Sequence, residues 1–260
     1  DGVGARRGRE EARSRFGVEQ HERVIMLSPG LRGREVSVTA PFLFRAAELL
    51  ARVEQNVSFI LCLSPFVGTA SLEQLFSHTA HAARIDGAAA RVEKSAGPLE
   101  AITAEGIRIR IETVLMYEAM AASDIAVCTP GPVCAELAYL GVPHVVTAPL
   151  NVPGAVAVPG VSPLLCSLPF IGETFQRRAV DRLKTSSRFV SIANQRAGKM
   201  IAPEIVGRLR PEDVVIPCVE LLGEAARRDK MSRELREAVG LTGAADRVVQ
   251  AIQRVVLSQQ

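Results

Sequence analysis

The sequence predicts an α/β fold: an open, largely parallel sheet of Rossmann-like type with a helical carboxyl-terminal tail. Three observations carry this. Apolar runs of strand length at 24–27, 58–63 and 124–127 are each followed by a Pro/Gly turn and then by helical periodicity. Residues 123–146 form one complete strand, turn, helix, strand unit, with Gly141 and Pro143 leading into the second strand. From residue 211 onward the pattern is helical without interruption by a strand.

Composition sets the outer bounds. The chain has 260 residues, enough for a sizeable core, and the 48% apolar content with no Trp and 4% aromatics makes that core aliphatic. A net charge of +3 does not demand nucleic acid, and the aromatics that would stack bases are too few. The cysteines Cys62, Cys128, Cys134, Cys166 and Cys218 are an odd set with no C-x-x-C pair, read as reduced and mostly buried. No apolar run has the length of a transmembrane helix. The chain opens on Asp rather than Met, the sign of a piece excised from something longer.

Taken in order, residues 5–17 alternate Arg and Glu in a solvent-facing helical pattern, so 1–22 is expected to be a linker helix. Residues 23–210 are expected to form the Rossmann-like domain and 211–260 a helical tail packed on it. The strand at 24–27 leads to a loop, 28–35, and a helix from about Thr39 to Val53. After the strand at 58–63 comes a helix over 71–82 bearing His78 and His81 one turn apart; no third metal ligand accompanies them. Residues 86–106 are Ala/Gly-rich, a loop or weak edge structure, and 107–111 alternate Ile with Arg as a half-exposed strand. A short helix over 114–122 feeds the strand at 124–127. The proline-rich stretch 148–171 either touches lipid or packs over the sheet edge, and 173–184 reads as an amphipathic helix. Pro203 and Glu204 suit a helix start. Helices are expected at 211–226, 230–239 and 243–257.

Two loops stand out chemically. Both connect the carboxyl end of a strand to a helix, the place where open α/β sheets bind ligands. In the second, Gly131 lets backbone approach a ligand and the following helix offers free N–H groups and a positive dipole end, which suits a diphosphate. Glu136, one turn into that helix, can accept hydrogen bonds from the paired hydroxyls of a sugar, or it can simply favour the helix N-terminus electrostatically. In the first loop Arg32 and Arg34 are candidates to meet negative charge, and its glycines leave room for a ligand or serve a tight turn.

Three islands resemble one family, the lipid-A-disaccharide synthases, which are glycosyltransferases of two Rossmann-like domains (the GT-B architecture). Leu27-Ser28-Pro29-Gly30-Leu31-Arg32-Gly33-Arg34-Glu35 resembles the family's Leu-Pro-Gly-Ser-Arg-x-x-Glu loop. Pro130-Gly131-Pro132-Val133-Cys134-Ala135-Glu136 is similar to its Ser-Gly-Thr-x-x-Leu-Glu turn, with Pro143, Val145 and Val146 in step behind it. Val190-Ser191-Ile192-Ala193-Asn194 followed by Pro203-Glu204 resembles Ser-Leu-Pro-Asn and the later Val-Pro-Glu. The departures are Leu31 for Ser, Pro130 and Pro132 for the hydroxyl residues around Gly131, and Ala193 for Pro; the two prolines remove possible phosphate donors.

The resemblance implies the UDP-sugar-binding half of an inverting glycosyltransferase that moves an acylated glucosamine from UDP to an acylated glucosamine 1-phosphate. It implies Arg32 as the group that neutralises the departing UDP, and Gly30, Arg32, Glu35, Gly131, Glu136, Asn194, Gln195, Arg196 and Glu204 as the donor pocket, with no metal and no cofactor. The implied partners are a UDP-diacylglucosamine-type donor, a lipid acceptor held by an amino-terminal domain, and a membrane surface. The family's setting implies the cytoplasmic face of the bacterial inner membrane or a plant-type organelle. Two other readings stay open: a glycosyltransferase of the same architecture with another acceptor, and a non-catalytic paralogue binding a nucleotide-sugar, a lipid or a protein.

Overall fold

A computed structural model describes residues 8–68, 71–77, 83–94, 97–151, 189–240 and 243–257. Its centre is an eight-stranded sheet. In chain order the strands are β1 (Arg23–Ser28), β2 (Val57–Cys62), β3 (Ala90–Lys94), β4 (Leu99–Thr103), β5 (Arg108–Glu112), β6 (Ile125–Cys128), β7 (His144–Pro149) and β8 (Glu204–Gly207). The spatial order is β3-β4-β5-β2-β1-β6-β7-β8. β5, β2, β1, β6, β7 and β8 run parallel, and β3 and β4 add an antiparallel hairpin at one edge. This is the Rossmann-like α/β class expected from the sequence.

The helices are α1 (Arg9–Arg15), α2 (Gly33–Val53), α3 (Leu72–Phe76), α4 (Met116–Ala122), α5 (Pro132–Leu140), α6 (Ile192–Ala197), α7 (Glu212–Gly223), α8 (Ala225–Val239) and α9 (Ala244–Leu257). The strands alternate their side chains between two cores. Ile25, Leu27, Phe59, Leu61, Ile125 and Val127 face one core, shared with α2, α3, α7 and α8. Val24, Met26, Ile60, Cys62, Ala126 and Cys128 face the other, covered by α1, α4 and the first turns of α5. Strands buried on both faces read as continuous apolar runs, which is why β1, β2, β6 and β7 were legible.

Four expectations are corrected. α2 starts at Gly33, not near Thr39, so Arg34 and Glu35 lie in its first turn. The β-branched Val36, Val38 and Thr39 and the internal Pro41 disguised that start, but all four are buried, and tertiary packing overrides their weak propensity. The 86–106 stretch carries the ordered antiparallel strands β3 and β4 rather than a loop, tied to β5 by ion pairs of Arg108 with Glu93 and Glu100. Pro203-Glu204 opens a strand rather than a helix: the Pro203 carbonyl accepts the Val146 N–H at 2.8 Å, and β8 follows. The Arg/Glu helix α1 is docked rather than solvated. Ala12 is fully buried, and Arg9 and Arg13 both reach Asp124, at 2.8 and 3.4 Å. His78, His81, Cys166, most of 148–171 and the 173–184 helix lie outside the described residues.

Candidate functional site

After β1 the chain turns to one side of the sheet through α2, and after β6 it turns to the other through α5. The order therefore reverses between β1 and β6, and the crevice outside their carboxyl ends is where such a sheet accepts a ligand. Ser28 and Cys128, the last residues of the two strands, are register partners, and the Thr129 N–H donates to the Ser28 carbonyl at 3.2 Å. The two sequence-predicted loops thus share one rim.

Glu35 joins them. It is the third residue of α2, and its carboxylate folds back to accept the Leu31 N–H at 3.0 Å, with further bonds from the Arg32 N–H and the Thr129 hydroxyl. This is half of a capping box, the acidic side chain at the third position reaching back to the helix entrance. Burial pushes the Glu35 carboxyl above its ordinary range, against the lowering effect of those donors. Gly30 permits the fold-back: it has φ +118, and a Cβ there would lie 2.2 Å from Cδ of Glu35. Glu35 is therefore occupied with closing the loop. Arg32, in extended conformation at the N-cap, is left exposed at the mouth of α2, and Arg34 is exposed beside it.

The second loop is poorer in donors than the sequence implied. Pro132 occupies the first helical position of α5 and has no N–H, and the Cys134 N–H turns back to the Gly131 carbonyl at 3.1 Å. Gly131 itself has φ +156 and open space where a Cβ would be. Beneath the turn, Cys128 and Cys134 place their sulfurs 3.2 Å apart, and Cys134 donates to the Thr129 carbonyl at 3.1 Å. The reversal from strand to helix brings together two free thiols that spacing alone left unpaired.

Glu136 is half-buried and accepts from Tyr117 Oη at 3.2 Å. Burial raises its carboxyl above the ordinary range and the Tyr117 bond lowers it; the Tyr117 phenol is raised in turn by burial and by the Glu136 charge. Tyr117 sits on α4, whose entrance is built by Glu112: one carboxylate oxygen accepts the N–H groups of Thr113, Val114 and Leu115 at 2.8–3.0 Å. Tyr117, Thr129 and Glu112 were missed in the sequence. Their link to Glu136 and Glu35 spans three different elements and has no local signature.

The remaining candidates form a separate cluster. Register carries the rim from Cys128 to Val146 to Glu204, three strands from Ser28, or about 14 Å at ~4.8 Å per strand. There Glu204 accepts the Val190 and Ser191 N–H groups at 2.7 and 2.9 Å. Asn194 is fully buried: its amide donates to the Ala202 carbonyl and to Glu204, and its oxygen accepts the Ile201 and Ala202 N–H groups. Gln195 donates to the Phe189 carbonyl and Arg196 to the Val239 carbonyl. These bonds tie residues 189–204 together and, through Arg196, to the end of α8, while Arg32, Gly131 and Glu136 are the candidates placed at the two crevice loops. Among the described residues no group of three His, Cys, Asp or Glu side chains is placed to hold a metal, and no helix is long and apolar enough to cross a membrane.

Sequence comparison finds similar proteins over nearly the whole chain. The chain is 27% identical over 252 residues to a lipid-A-disaccharide synthase of Syntrophus aciditrophicus (strain SB), covering 95% of this chain and 53% of that protein. It is 28% identical over 248 residues to one of Prochlorococcus marinus (strain MIT 9313), covering 94% and 53%. Over nearly its whole length this chain is similar in sequence to lipid-A-disaccharide synthases. It spans about half the length of those relatives. No family model matches it. Among solved structures, a glycosyltransferase involved in lipopolysaccharide biosynthesis is 15% identical with a TM-score of 0.47, over 89% of this chain and 46% of that one. A UDP-N-acetylglucosamine 2-epimerase from Neisseria meningitidis is 12% identical with a TM-score of 0.49, over 94% and 48%.

Proposed function

We propose that this chain is the donor-binding half of a lipid A glycosyltransferase, taking a UDP-sugar in the crevice between β1 and β6. The observation that supports it best is the convergence of an exposed arginine and a helix entrance with a sugar-competent carboxylate at the switch point. In this reading the diphosphate lies at the entrance of α2, whose first-turn N–H groups have no intrahelical acceptor, and Arg32 supplies the cation. Arg32 neutralises the charge that grows on UDP as the glycosidic bond breaks. Gly131 lets the donor approach α5, and Glu136 accepts from the ribose hydroxyls while Tyr117 fixes its rotamer.

Gly30 and Glu35 shape the phosphate loop from behind. Asn194 and Glu204 act as its lateral wall rather than as ligand contacts, because their polar atoms are engaged with backbone and with each other, whereas Gln195 and Arg196 are exposed beside them and keep polar atoms free for the donor. In this reading the donor is a UDP-diacylglucosamine and transfer inverts the anomeric carbon, while the acylated acceptor phosphate and the catalytic base belong to the length of the relatives that this chain does not span. The chain alone is therefore expected to bind donor nucleotide without transferring sugar. The same reading places the whole protein at a membrane surface, where its lipid substrates reside.

A thermal-shift screen against UDP, UDP-N-acetylglucosamine, GDP and ADP tests the proposal. Ligand at 100 times its dissociation constant adds about 2.7 kcal/mol, a shift of several degrees for a chain of this size. Stabilisation by the uridine nucleotides alone is the expected result. A flat response to all four would favour a paralogue that has lost the donor.

A further inference from the structure

The opposite rim of the sheet, where the parallel strands begin, carries a cavity of about 450 Å³. Its floor is the chain entering β6 and β7, and its walls come from α1, α4, α5 and α8. Helices α4, α5 and α7 all end along this rim, and arginines take their last carbonyls. Arg9 donates to the Ser123 carbonyl at 2.5 Å, Arg236 to the Leu140 carbonyl at 2.8 Å, and Arg228 to the Leu221 and Leu222 carbonyls, both at 2.6 Å. Cations at helix carboxyl ends are a familiar stabilising device, and that could be their whole purpose.

Two observations go beyond it. First, the arginines outnumber the acids: Arg9, Arg228 and Arg236 line the cavity against Asp124 and Asp229, and Asp124 is already shared with Arg13 and with the Val24 N–H. Burial, with Arg23 and Arg9 close by, holds the Arg228 guanidinium below its ordinary range in spite of Asp124 and Asp229. Second, donors are left over. Among the described residues Arg228 uses only Nη1 and Arg236 only Nη2, and the Ser232 hydroxyl has no protein partner. Arg228, Ser232 and Arg236 recur every fourth residue along α8, so they form one stripe, about 6 Å from each to the next, facing the cavity.

We propose that this cavity is a second ligand site, for a small phosphorylated molecule whose phosphoryl group sits over Ser232 between Arg228 and Arg236. Planar guanidinium forks match phosphate oxygens, and a hydroxyl between them adds a third donor. The volume falls in the range of small-molecule sites and far exceeds what one phosphate fills, so the ligand carries an organic part as well. The site lies across the sheet from the β1/β6 crevice and does not depend on what that crevice binds.

The test uses the full chain carrying Arg32→Ala, which removes the cation of the crevice, with inorganic pyrophosphate and glucose 1-phosphate as probes at constant ionic strength. Calorimetric titration is expected to show binding that persists in this background. Adding Arg236→Gln should weaken it tenfold or more, and adding Ser232→Leu, which fills the cavity without changing its charge, should abolish it. Arg236 is exposed, so its variant remains informative if Ser232→Leu does not fold. No binding in the Arg32→Ala chain, or binding that neither additional change weakens, would overturn the site.

Discussion

Tyr117 Oη donates to Glu136 Oε1 across the gap between α4 and α5, at 3.2 Å. The bond occupies one carboxylate oxygen from behind and leaves the other without a partner among the described residues. A half-buried carboxylate held in this way is preorganised as an acceptor, and the cost is a carboxyl raised by burial.

That cost has a definite pH dependence. Burial raises the Glu136 carboxyl in the folded chain above its ordinary range, near 4.5, so ionised Glu136 destabilises the fold above its folded pKa. The penalty is relieved as pH falls toward the unfolded value. Glu136→Gln keeps the oxygen that Tyr117 meets and never ionises. It should therefore be more stable than the parent at pH 7, with the advantage shrinking as pH drops toward 4.5. Urea denaturation at a series of pH values measures this, and an advantage that grows on acidification would contradict it.

Arg32 and Glu136 should separate in a comparison of UDP with uridine. Arg32→Ala removes a charge-assisted contact worth about 1.5–3 kcal/mol, so UDP should weaken roughly ten- to more than a hundredfold while uridine changes little. Glu136→Ala should weaken both by a similar factor, because both carry the ribose. Equal loss of the two ligands in Arg32→Ala would mean that Arg32 does not meet the phosphates.

Gly30 and Gly106 both have positive φ, but their surroundings differ: a Cβ at Gly30 meets Glu35 at 2.2 Å, and one at Gly106 meets nothing within 4 Å. Gly106→Ala should cost the backbone strain alone, about 1–2 kcal/mol. Gly30→Ala should cost more, since Glu35 must also leave its donors, and only this variant should weaken nucleotide binding. Equal denaturation midpoints for the two would show that the Glu35 fold-back is dispensable.

Much of this was legible in the sequence. Strands β1, β2, β6 and β7 and the β1 and β6 loops announced themselves because burial on both faces and the Pro/Gly turns are local signals. Arg32 and Glu136 were candidates from their places in the two loops, and the family resemblance added their roles toward UDP. The sequence was silent where the determinant is distant: the Tyr117–Glu136 bond, the Thr129 hydroxyl on Glu35, the Cys128–Cys134 approach. It misled where a local signal was outweighed. Pro203-Glu204 has the composition of a helix start, yet the open edge of β7 and the needs of the Val190 and Ser191 N–H groups make it a strand.

Asn194 tests the division between ligand contact and support. Its side-chain amide has two donors and its oxygen two acceptor positions, and all four are filled, by the Ala202 carbonyl, Glu204, and the Ile201 and Ala202 N–H groups. A group so engaged has nothing left for a sugar. Asn194→Ala would strand those backbone groups in a fully buried setting, where each unsatisfied group costs about 1–3 kcal/mol, so a loss of about 2–4 kcal/mol is expected after partial rescue by water. If the residue is support alone, the variant should melt early yet bind UDP with parental affinity at a temperature where it is still folded. Calorimetry at low temperature beside a urea titration separates the two. A stable Asn194→Ala chain with weakened UDP would instead place the amide in the donor pocket, as the family resemblance first implied.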